Sequence, residues 1–174
     1  MEKYSRIAIA FHWIIAILIV ANVALASISE DLPRAAKAAY MDPHKAIGIS
    51  ILFLSVLRLL WRLGHKPPPM PNAIVGWQAA VGKTVHALFY FLIIAVPVTG
   101  WLMVGARPGA PPVDVFGLFT IDPPLADSKN LSSLGRDGHE ILTKPLVILI
   151  FLHIIGALKH QFADRVRFIQ RMWP

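Results

Sequence analysis

Residues 138–157 read GHEILTKPLVILIFLHIIGA, with a histidine near each end and no charge from Pro145 onward. Written as one helix, the stretch sets His139 and His153 fourteen residues apart, about 21 Å of rise and about 40° short of four whole turns. The two imidazoles then point much the same way at two depths. Such a helix can hold two metal centres at a fixed spacing, provided other helices bring an opposing histidine to each depth.

The 174 residues are 56% apolar, with a mean hydropathy of +0.59. That is wrong for a soluble domain and right for a membrane protein. Four stretches are long enough for the roughly 30 Å hydrocarbon core, which takes about 20 helical residues. They are Ile7–Ala26, His44–Arg62, Thr84–Val104 and His139–Leu158, the third helix starting near residue 78 and the fourth reaching about residue 160. The expected fold class is all-α, a single integral-membrane four-helix domain over residues 1–174. Lys3 and Arg6 before the first run, and Ala24-Leu25-Ala26 within it, imitate a signal peptide. The run is longer than an h-region and carries His12, so it is read as a retained helix.

Charge sets the expected orientation. The N-terminus, the second connection and the C-terminus together hold ten Lys/Arg (Lys3, Arg6, Arg58, Arg62, Lys66, Lys83, Lys159, Arg165, Arg167, Arg171) against Glu2 and Asp164. The opposite side holds seven Lys/Arg and eight acids. The positive-inside rule then puts both termini in the cytoplasm. A pI near 10.1 invites a nucleic-acid partner, but these charges cluster at helix ends and membrane topology explains them, so none is expected. With no cysteine, disulfides, thiolate zinc, cysteine-ligated iron–sulfur clusters and covalent c-type haem are excluded.

His12 lies five residues inside the first run, about 8 Å below the basic edge. Trp13 beside it suits an interfacial anchor. Ser27–Asp42 reads as the first connection, with a short surface helix across AAKAAY. Pro43 then opens the second helix, with His44 in its first turn. Arg58 follows fourteen residues later, level with the buried basic-side histidines. It either snorkels or meets an anion such as a haem propionate. His65 falls in the proline-rich second connection and reads as exposed. His86, at the depth of His12 and His153, is the one competitor for a ligand role. Ala106–Gly138 reads as a long cap, and the tail QFADRVRFIQRMWP as a basic amphipathic segment along the headgroups.

Depth pairs His12 with His153 near the basic edge, and His44 with His139 at the opposite edge, where each opens its helix. Two imidazole pairs stacked in a four-helix bundle fit two bis-histidine b-type haems. A structural zinc site would want four ligands at one depth, and none is offered. Gly48 and Gly156, each within a turn of a ligand, either make room for a macrocycle or let helices pack closely.

The segments KYSRIAIAFHW, H…GISILFLSVLRLLWR, H…YFLIIAVPVTG and HE…H together resemble the bacterial cytochrome b561 family over essentially the whole chain. The superfamily also holds the cytochrome b subunits of nickel–iron hydrogenases and formate dehydrogenases. The likeness is nearest to its small stand-alone superoxide:ubiquinone oxidoreductases. It implies axial ligands at His12, His44, His139 and His153, with His86 a non-ligand. It also implies a bacterial inner-membrane location, periplasmic superoxide as donor and ubiquinone as acceptor.

Candidate residues stand at each end. Lys45, Arg136 and Lys144 lie within five residues of His44 or His139 and would steer an anion, or merely solubilise loops. His160, two turns past His153, would bond a quinone carbonyl and relay a proton; Lys83 and His86 are further candidates for that site. Two other readings stay open: a cytochrome b subunit serving a partner dehydrogenase or hydrogenase, and a small non-redox helical membrane protein.

Overall fold

The computed structural model describes residues 2–71, 74, 76–123 and 125–174. Met1 of the basic lead, Asn72, Ala73 and Val75 of the second connection, and Pro124 of the third lie outside the described residues. Four long helices form the chain's body: α1 (Arg6–Glu30), α2 (Arg34–Gly64), α3 (Gly76–Gly105) and α4 (Lys129–Leu158). All four are long and apolar enough to cross a membrane. The all-α membrane reading therefore holds.

The helices are longer than the hydropathy suggests. Ser5 caps α1, its hydroxyl accepting from the Ala8 N–H at 3.3 Å, and Ser128 caps α4 by accepting from Leu131 at 3.3 Å. The first connection shrinks to the residues between Glu30 and Arg34, and AAKAAY is no separate surface helix but the first turns of α2. Pro43 lies inside α2, as Pro97 and Pro145 lie inside α3 and α4. The expectation that His44 and His139 open their helices is thus corrected. Each stands ten residues into its helix. Ala-rich sequence propagates α2 upstream of the proline, and a bundle tolerates the carbonyl a proline leaves free. Both histidines moved by the same amount, so their pairing survives.

Packing runs α1 with α2, α2 with α3, and α3 with α4, the last being the most extensive. Gly135 lies against the Met103 backbone, and a Cβ on Gly138 would stand 3.0 Å from Thr99. Ser132 Oγ donates to Met103 O at 2.8 Å. These small residues bring α3 and α4 close. An apolar core of Ile15 and Ile19 from α1, Ile51 from α2, Leu92, Ile93 and Val96 from α3, and Leu146 and Leu149 from α4 fills the middle of the bundle. On α4 it lies between His139 and His153, so it separates the two histidine levels.

The third connection contains an antiparallel hairpin, β1 (Val113–Val115) with β2 (Phe119–Ile121), that packs on α2. Its tight turn puts Phe116 at φ 56° and Gly117 at φ 72°, with Leu118 N–H donating to Val115 O at 3.1 Å. Both central residues of this I′-like turn are left-handed, which glycine adopts freely and Phe116 does not.

The tail does not simply lie along headgroups. After a π-helical turn (Lys159–Ala163) it folds back as α5 (Phe168–Met172) onto the N-terminus. Tyr4 N–H donates to Arg171 O at 3.1 Å, and Trp13 Nε1 donates to Met172 O at 2.6 Å. Arg171 is 4% exposed and donates to Glu2 O at 3.1 Å and Pro69 O at 2.8 Å. The N-terminus, second connection and C-terminus therefore meet at one end of the bundle, the basic one.

Candidate functional site

Two imidazole couples span the bundle. His12 and His153 have ring centres 6.3 Å apart, and His44 and His139 have theirs 6.2 Å apart. Each couple joins α4 to a helix that does not pack along it, α1 in one case and α2 in the other. Two metal–nitrogen bonds of about 2 Å, plus the half-width of each ring, put the centres of two axial imidazoles about 6 Å apart. Both separations match.

Hydrogen bonding orients the second couple. His44 Nδ1–H donates to Asn22 O at 3.1 Å, and His139 Nδ1–H donates to Val96 O at 2.9 Å. A carbonyl only accepts, so each Nδ1 carries the proton and each Nε2 keeps its lone pair. This is the tautomer that a metal-ligating histidine needs, supported as such ligands usually are. Gly100 makes the room: a Cβ there would stand 3.1 Å from the His139 ring. A Cβ on Gly156 would meet open space and one on Gly48 an ordinary contact, 3.8 Å from the Asn22 amide nitrogen, so the crowding that matters lies at Gly100 instead.

The first couple is held differently. His153 meets three rings, His12 at 6.3 Å, His86 at 5.9 Å and Phe89 at 5.3 Å. Distance alone does not choose between His12 and His86. Helix packing differs between the two: α3, which carries His86, packs extensively on α4, whereas α1, which carries His12, does not. Arg58 Nη2 lies 3.4 Å from His12 Nδ1, a long contact in which the guanidinium can only donate. That contact suits the tautomer opposite to a ligand's. A metal on Nε2 would put a proton on Nδ1 and turn Arg58 toward an anion.

Among the described residues no three His, Cys, Asp or Glu side chains converge as on a bare ion. Two histidines meet at one level and, with His86 beside His153, three lie at the other, too few for a bare ion and enough for iron already held by a porphyrin. Ser55 Oγ, fully buried, and Asn22 Oδ1 have no hydrogen-bond partner among the described residues. Each lies near one histidine level in sequence, Ser55 three residues before Arg58 and Asn22 on the segment that receives His44. The residues present therefore fit haem.

Other expected site residues sort as follows. His160 Nδ1 is bound to Asp164 Oδ2 at 2.6 Å, leaving only Nε2 free. The Lys159 ammonium, 2.7 Å from the same oxygen, holds the Asp164 carboxyl below the usual carboxylate range, with His160 adding to the effect. Lys83 is exposed. Lys45 pairs with Asp42 at 2.6 Å and Lys144 with Glu140 at 3.3 Å, so two members of the expected basic collar carry their own counter-ions. Arg136 has no carboxylate partner among the described residues. His65 is exposed as expected, stacked on Trp61 at 3.7 Å. Sequence reading missed Tyr90, which lies beneath both Arg58 and Arg62 at 5.7 and 5.6 Å. The Arg58/Arg62 spacing of four was the available signal.

Fold and site together define a helical membrane protein of the cytochrome b kind. The chain belongs to the prokaryotic cytochrome b561 family, whose sequence model matches residues 3–174. It is 32% identical over 174 residues to "Cytochrome b561 homolog 2" of Escherichia coli strain K12, covering 98% of this chain and 91% of the relative. It is 29% identical over 178 residues to "Probable superoxide oxidase CybB" of Yersinia pestis, covering 99% and 97%. With "Cytochrome b561 homolog 1" of Escherichia coli strain K12 it shares 21% over 186 residues, covering 100% and 98%. Membership implies b-type haem and membrane electron transfer.

Proposed function

We propose that the chain carries two bis-histidine b-type haems, one between His12 and His153 and one between His44 and His139, and moves electrons from periplasmic superoxide to ubiquinone. The observation that carries this reading is the pair of ring separations, 6.3 and 6.2 Å, at two levels of one bundle. When bound, each haem supplies a one-electron carrier. The chain's own residues do the rest. Asn22 and Val96 carbonyls fix the His44 and His139 rings, and Arg58 bonds a propionate with its guanidinium fork. The 29% identity to a probable superoxide oxidase supports the donor.

The reaction balances as two superoxide ions releasing two electrons and two dioxygen molecules, while ubiquinone takes two electrons and two protons. Positive-inside charge supports cytoplasmic termini in a bacterial inner membrane, hence quinone reduction at the basic end. There His160, its Nδ1–H given to Asp164, would in its imidazolium form donate Nε2–H to a quinone carbonyl, and His86 lies beside His153. At the other end Arg136, alone of the three expected collar cations, has no carboxylate partner among the described residues and would attract superoxide.

The test uses the purified chain alone. A red preparation with two haems per chain by pyridine haemochrome, which removes superoxide only when ubiquinone is added, supports the proposal. Two haems with reduction only by an added soluble partner would instead make it a subunit of a larger oxidoreductase. A colourless preparation rejects both.

A further inference from the structure

The basic end holds a cleft of about 490 Å³ between the N-terminal segment, the end of α2 and the start of the second connection. Lys3, Arg58, Arg62 and Lys66 line it, against Glu2 as its one acid. Among the described residues none of these four cations pairs with a carboxylate. The Arg62 guanidinium lies 5.6 Å from the Tyr90 ring centre, a cation–π contact that is not a charge-neutralising one. Trp61 fixes one wall, donating from Nε1 to Ser5 Oγ at 3.2 Å and stacking on His65. Met172 of the folded-back tail contributes to another.

Clustered cations without counter-ions call for an anion, and a guanidinium with a nearby ammonium suits phosphate. The volume is many times the roughly 30 Å³ share of one water, so a free phosphate would leave most of it empty. Its aromatic and proline walls suit an organic body attached to that phosphate. The cleft adjoins the last turns of α2, where Leu60 and Leu63 are 58% and 76% exposed, an apolar surface that suits acyl chains. Basic pockets among membrane helices on the cytoplasmic side are where anionic headgroups bind.

We infer that this cleft seats the phosphodiester of an anionic phospholipid, gripped by Arg62 and Lys66 with Lys3 on the facing wall. Arg58, which also lines the cleft, is given to a haem propionate under the proposed function, so the inference rests on that reading at this one wall, while Arg62, Lys66 and Lys3 carry the lipid whether or not it holds. The lipid closes the basic end by bridging α2, the second connection and the N-terminus.

The test is native mass spectrometry of the delipidated full chain with its haems retained, titrated with phosphatidylglycerol, phosphatidylcholine, glycerol 3-phosphate or inorganic phosphate. One phosphatidylglycerol should bind per chain in preference to the other three. R62Q/K66Q should weaken it about tenfold, and K66Q alone, in an exposed loop, should weaken it in part. Removing two charges elsewhere at this end, with R6Q/R167Q, should leave it unchanged. Equal binding of phosphatidylcholine, or no loss in R62Q/K66Q and K66Q, overturns the inference. So does glycerol 3-phosphate binding as tightly as the lipid, or displacement of the lipid by a short-chain ubiquinone.

Discussion

His44 and His139 face each other with ring centres 6.2 Å apart, and each has already given its Nδ1 proton to a backbone carbonyl of a neighbouring helix. Each Nε2 thus keeps its lone pair, the condition for ligating the haem proposed at this level.

Replacing His139 by Ala should remove one haem and keep the other, halving the pyridine-haemochrome count while α-helical circular dichroism persists. Loss of neither haem would refute the ligand assignment.

Gly100 lies against the same ring. In Gly100→Ala the new methyl, 3.1 Å from the His139 imidazole, forces that ring to give by a few tenths of an ångström. The haem at this level should show altered low-spin electron paramagnetic resonance signals, and Gly100→Val should lose it. Gly156→Ala, with open space around it, is expected to change neither.

His12 and His86 both approach His153, and substitution separates them. His12→Ala should abolish the basic-side haem, whereas His86→Ala should retain it and change only the rate of quinone reduction. An optical spectrum of each variant suffices, and the opposite pattern would transfer the ligand role to His86.

Arg58→Gln removes a half-buried cation beside the proposed basic-side haem. Positive charge favours the reduced, more negative state, so the midpoint potential should fall. A fall of about 60 mV corresponds to a tenfold change in the one-electron equilibrium. Arg58→Lys should recover part of it, and redox titration of the two haems would show whether only one moves.

Arg171 ties the tail to Glu2 and Pro69 through two carbonyls while nearly fully buried. Charged hydrogen bonds of this kind contribute about 1.5–3 kcal/mol each. Arg171→Ala should lower the thermal midpoint in detergent by several degrees and expose the 171–174 segment to carboxypeptidase. Protection equal to the parent chain would mean that the tail is held by other contacts, of which Trp13 to Met172 is the first to test.

The sequence by itself determined the four apolar spans and the fourteen-residue interval on α4, because hydrophobic length and helical rise are local properties. It also determined which histidines share a level, since an equal upstream extension of α2 and α4 left their relative depth unchanged. Only the tertiary structure decided where those helices begin. Pro43 reads as a start in isolation, and tolerance of an interior proline depends on neighbouring helices. The return of α5 onto Tyr4 and Trp13 and the placing of Arg58 and Arg62 over Tyr90 were likewise invisible in one dimension, and His86, legible only as sharing a depth with His153, needed the structure to bring the two rings together. Each is a contact between distant residues, and its geometry is set by how helix faces rotate against one another rather than by the pattern along any one of them.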